Sequence, residues 1–130
     1  MQEPVWIPRM VIEAIHVDQI REHGGLSGIR DVDLLESALA RPKQKWTYDE
    51  STDSAALAAA YCFGIVKNHP FQDGNKRVGF LSLVVFLRLN GSSFLASDES
   101  VVSTILGLAS GQISEDDLAT WIRQNSSASS

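Results

Sequence analysis

Nine residues near the middle of the chain, His69-Pro70-Phe71-Gln72-Asp73-Gly74-Asn75-Lys76-Arg77, gather an imidazole, a carboxylate, an amide and two cations. A histidine titrates near neutral pH and can take a proton from an attacking hydroxyl. A lone carboxylate such as Asp73 holds Mg²⁺ together with substrate phosphates. Gly74 has no side chain to block a ligand, and Lys76 and Arg77 add full positive charges. Base, metal carboxylate, amide cradle and cationic clamp are what transfer from a nucleotide needs, a chemistry of positioning and charge neutralisation.

Two apolar segments flank these residues, ALAAAYCFGIV before and VGFLSLVVFLRL after. Pro70 pushes the residue before it out of helical geometry, so the Ala-rich helix that starts at Asp53 or Ser54 ends there. Gly74 or Asn75 opens the next helix, which runs to about Asn90-Gly91 and is apolar all round, the mark of a buried central helix. The polar residues therefore form a loop at an open end of the core. There the first N–H groups of the central helix lack acceptors and carry the positive end of its dipole, a ready anion site.

The rest of the chain reads as helices too. Pro8 sits at the start of one carrying Val11, Ile12, Ile15 and Ile20, stopped by Gly24-Gly25. GGLSGIR is a loop, and Asp31 caps DVDLLESALAR, which Pro42 ends, leaving KQKWTYDESTD as a polar connector. Ser97 caps a helix through Leu108, and Ser114 with Asp117 begins the last one, DLATWIRQN. Ser92 to Ala96 is a weak strand candidate. The expectation is an all-α compact bundle of about six helices, one domain over residues 1–125, with a frayed tail over 126–130.

Length and composition fit that reading. The 130 residues are 44% hydrophobic and 21% charged, as in a globular protein with one core. No apolar run approaches a membrane span, no secretion signal opens the chain, and the single cysteine, Cys62, suits a reducing cytoplasm. A net charge of −5 argues against nucleic-acid binding. Between Lys67 and Arg88, however, four basic residues face one acid. That local positive charge suits a small polyanion, or merely solvates a surface.

Taken singly, each group has a plainer reading. Asp73-Gly74 is a common turn, Asp73 or Asn75 could simply cap the helix, and Lys67 is a weaker phosphate contact than Lys76 or Arg77. His16 reads as structural. A calcium loop is excluded because Arg77 occupies the place of a third oxygen ligand, and a P-loop because its glycine and Ser/Thr are missing.

Together the residues resemble the Fic-domain motif, H-x-F-x-[DE]-G-N-G-R-x-x-R, at His69, Phe71, Asp73, Gly74, Asn75 and Arg77. Lys76 stands where the second glycine belongs and Phe80 where the last arginine belongs. Both departures resemble the Doc (death-on-curing) branch, as do GGLSGIRDVDLLESALARP, AAAYCFGIVKNHPF and FLRLNG. The resemblance implies that His69 is the base, Asp73 the Mg²⁺ ligand, and Gly74, Lys76 and Arg77 the phosphate-binding set, with Asn75 ordering the loop or the nucleotide; Phe80 itself reads as a core residue. Fic proteins typically adenylylate a protein hydroxyl, whereas Doc toxins phosphorylate a threonine of elongation factor Tu with ATP and stop translation. The long cation Lys76 fills the space of one nucleotide pose and clamps another, and loss of the last arginine weakens the adenylylation reading.

Some Fic proteins carry an inhibitory helix with the pattern [S/T]-x-x-x-E-[G/N]. Glu3, Glu13, Glu22, Glu36, Glu50, Glu99 and Glu115 all lack Ser or Thr four positions earlier. Restraint is expected from another chain, which for Doc is the antitoxin Phd, whose C-terminal segment folds onto the toxin.

Overall fold

The computed structural model describes residues 2–128, within which six helices and two short strands follow one another. They are α1 (Arg9–His23), α2 (Val32–Tyr48), α3 (Ser54–Asn68), α4 (Asn75–Leu89), β1 (Ser92–Phe94), α5 (Asp98–Ser110), α6 (Glu115–Gln124) and β2 (Ser126–Ala128). Helix starts follow their caps. The side chains of Asp31, Asp53, Ser97 and Ser114 accept from backbone N–H groups of the first turns of α2, α3, α5 and α6. Ser114 and Asp117 complete a reciprocal capping box.

The all-α bundle with a buried central helix is as expected, but the centre is α3, one helix earlier than the apolar run suggested. Ala55, Ala58, Ala59, Ala60 and Gly64 give α3 a thin surface, so α2, α4 and α6 close around it. A Cβ on Gly64 would lie 3.1 Å from the Ala38 Cα of α2, and one on Gly79 of α4 would lie 2.8 Å from Val66 Cγ2 of α3. Both interfaces require the bare backbone. Helix α4 packs along α3 and buries Val78, Leu83, Phe86 and Leu87, while Phe80, Leu81, Val84 and Val85 are only half-buried.

Two boundaries differ from the expected ones. Pro42 does not end α2, which continues to Tyr48 and reduces the connector to 49–53. Proline removes one helical hydrogen bond, yet tertiary contacts outweigh that loss here. Pro42 is buried, Trp46 meets Trp6 edge-on, and Lys45 binds Glu115 of α6 at 2.7 Å. The strand over 92–94 finds its partner in the tail: β1 and β2 pair antiparallel, with Ser93 opposite Ser127. Of the tail expected to fray, 126–128 is thus a strand, and Ser129 and Ser130 lie outside the described residues. Among the described residues, no helix is long and apolar enough to cross a membrane.

Candidate active site

Helix α3 ends on His69, which adopts the left-handed conformation (φ 54°, ψ 53°) and is the one non-glycine residue with a positive φ among those described. Six residues further on, Asn75 begins α4, and its buried side chain clips the loop shut. Asn75 Oδ1 accepts from the Phe71 N–H at 3.0 Å, and its Nδ2 donates to the Phe71 carbonyl at 3.0 Å. The Phe71 ring is fully buried and stacks on His16 of α1, with centroids 4.1 Å apart. His16 Nε2 lies 3.0 Å from the Asp73 carbonyl oxygen. A carbonyl can only accept, so the proton is on Nε2.

The 24–31 segment braces the outer side of this loop. Ile29 bridges Phe71, and the Gln72 N–H donates to the Gly28 carbonyl at 3.0 Å. The Leu26 N–H donates to Asp73 Oδ2 at 2.7 Å. Arg30 Nε donates to the His69 carbonyl at 2.7 Å, and its Nη2 to the Asn68 carbonyl at 3.0 Å.

Gly74 holds the N-cap position of α4 at φ 80°, where a side chain would be strained. No side chain caps this helix and no acid stands in its first turn. Its first N–H groups are therefore open, with the dipole's positive end behind them. Lys76 and Arg77 are exposed and form no ion pair among the described residues. Cations at a helix N-terminus oppose the dipole unless an anion is bound there.

One cavity of about 380 Å³ collects these groups: His69, Asp73, Gly74, Asn75, Lys76 and Arg77 line it on one side. Phe80, Val101, Val102, Ile105 and Leu106 form the other, apolar side. Lys67 is not among its walls; its Nζ points toward Gly111 at the end of α5. Phe80, expected in the core, is half-buried, lines the cavity and meets Phe94 edge-on. Among the described residues no three His, Cys, Asp or Glu side chains cluster as a metal site. Asp73 is the one carboxylate in the cavity, with Oδ2 engaged by Leu26 and Oδ1 free of partners among the described residues. One protein oxygen beside an open helix start fits Mg²⁺, which takes its other ligands from phosphates and water.

Sequence reasoning placed no role on Arg30, Leu26 or the α5 wall, and gave His16 only a structural one. For His16 the signal was available: Ile12, His16 and Ile20 recur at four-residue spacing, so the histidine shares the inward face. For Arg30 no short-range signal exists, since its partners lie 38 and 39 residues away.

Fold and junction together define a class of small helical domain in which a histidine, a carboxylate and an uncapped helix start meet at one cavity. The chain belongs to the Fic/DOC family, whose family model matches residues 6–87. It is 34% identical over 111 residues to the "Protein kinase doc" of Escherichia phage P1, covering 85% of this chain and 87% of that one. It is also 37% identical over 79 residues to the "Toxin Doc" of Mycolicibacterium smegmatis, covering 60% of each.

Proposed function

We propose that this protein is a Doc-type toxin: an enzyme that transfers a phosphate from ATP to a Ser/Thr hydroxyl of a translation factor, with elongation factor Tu as the target. The observation that carries the reading is the shared cavity, lined by His69, Asp73, the open start of α4, and Lys76 and Arg77, which form no ion pair among the described residues. The printed names of the two relatives support a toxin and a kinase.

In this reading an unprotonated ring nitrogen of His69 takes the proton of the attacking hydroxyl as its oxygen bonds to the γ-phosphorus, while the bond from that phosphorus to the β–γ bridging oxygen breaks and ADP leaves. Asp73 would hold Mg²⁺, its Oδ1 being free of partners among the described residues, and the ion would neutralise phosphate charge. The N–H groups of Asn75, Lys76 and Arg77 cradle phosphate oxygens, with Gly74 keeping the approach clear. Lys76 and Arg77 stabilise charge on the transferred group. Asn75 acts through the loop, since both arms of its amide are spent on Phe71. Lys67 stays outside the phosphate set. The protein acts in the cytoplasm and is restrained by an antitoxin of the Phd type.

The test is incubation of the purified chain with elongation factor Tu and ATP labelled separately at the α and γ positions. Label from the γ position, absent with His69→Ala and Asp73→Ala, is expected. Label from the α position would identify an adenylyltransferase instead. Growth arrest that survives both substitutions would leave a non-enzymatic binding module.

A further inference from the structure

We infer that Arg30 is a positioning residue for His69, holding the catalytic histidine in its left-handed turn. The inference rests on His69 being the base, as proposed above, and adds a residue outside the motif.

Three consecutive carbonyls around the end of α3 are taken by this one residue. Its Nη2 binds the Asn68 oxygen, its Nε the His69 oxygen, and its own N–H the Pro70 oxygen at 2.7 Å. The last carbonyls of a helix have no intrahelical donor and carry the negative end of the dipole, so a guanidinium is the favoured partner there. Its planar fork matches two adjacent acceptors as a lysine cannot.

The reason this matters lies in the backbone of His69. A side chain at φ 54° is strained, and Pro70 disfavours the helical alternative. The competing conformation is extended, a change in φ of roughly 100° or more. Such a change would swing the imidazole away from Asp73 and the α4 start. The strained turn persists because its surroundings over-determine it, and Arg30 supplies three hydrogen bonds to this stretch of backbone. Arg30 itself is exposed and does not line the cavity.

Activity should scale with the fraction of chains that keep the turn. For Arg30→Ala the expected loss is about tenfold in kcat, equivalent to ~1.4 kcal/mol, with the KM for ATP within about twofold. Arg30→Lys, able to reach one carbonyl at a time, should recover part of the loss. Kinetics would use γ-labelled ATP and purified elongation factor Tu. A second measurement needs no turnover: the intraresidue amide-to-Hα NOE of His69, strong in a left-handed residue, should weaken in Arg30→Ala and return partly in Arg30→Lys.

Unchanged kcat in Arg30→Ala overturns the inference, as does a kcat loss with the NOE intact. An inactive wild type whose NOE weakens in Arg30→Ala would sink the kinase reading while leaving the hold of Arg30 on His69 in place. An NOE unmoved by the substitution sinks the positioning claim whatever the activity.

Discussion

Replacing Asn75 by alanine tests the clip that closes the motif loop. Asn75 is 3% exposed and Phe71 fully buried, so the substitution strands the Phe71 N–H and C=O away from water. A buried group left without its partner costs about 1–3 kcal/mol. Two groups give about 2–6 kcal/mol. A water entering the space left by the amide lowers this, and the better helix propensity of alanine returns about 0.5 kcal/mol. The expected net loss is about 3 kcal/mol, a large share of the ~5–15 kcal/mol typical of a domain. Urea unfolding followed by circular dichroism should show a lower midpoint with an unchanged slope. Thermal unfolding should shift down by about 10 °C. A loss below about 1 kcal/mol would refute the reasoning, because it would mean that the two Phe71 groups find other partners without Asn75.

Four further outcomes can be checked. Gly74→Ala should destabilise by about 1–2 kcal/mol in urea through backbone strain alone, since the added Cβ has room, 3.5 Å from Ile20 Cδ1. His16→Leu removes the donor to the Asp73 carbonyl and should cost about 1–2 kcal/mol in urea, with part of the loss recovered in His16→Gln. Burial raises the Glu115 carboxyl, but hydrogen bonds and charge from Lys45 and Arg41 outweigh it, leaving the group below its ordinary value. Its contribution is thus complete above the unfolded carboxylate value of about 4.3 and is lost as pH falls through the lower folded one. Urea midpoints between pH about 5 and 3 should fall more steeply for the wild type than for Glu115→Gln. Burial pushes the Cys62 thiol far up, so a thiol reagent at neutral pH should label it only as fast as the protein unfolds.

What the sequence disclosed was local. Pro70, Gly74 and the four capping side chains act within a turn of themselves, so the loop and the helix starts around it were legible. The motif's spacing named every polar group on the cavity floor. Pro42 misled because its rule is a local one, and the helix end is decided by Trp46 and Lys45 meeting distant partners. The tail strand depends on pairing with residues 34 positions away. The same distance hid the brace: GGLSGIR shows only that a loop is there, whereas its hold on Asp73 through Leu26 and on His69 through Arg30 exists only after folding. The α5 wall is of this kind as well, because Val101 and Leu106 look like any apolar helix face until α4 is set opposite.

The bare backbones of Gly64 and Gly79 carry one more implication. At that range α3 can slide past neither α2 nor α4 without collision, so the core fixes the spacing within which Asn75 and Arg30 then set the turn from α3 to α4. Loop and scaffold are then a single casting. The wall supplied by α5 is of mixed character, since Val102 and Leu106 are exposed whereas Ile105 belongs to the core.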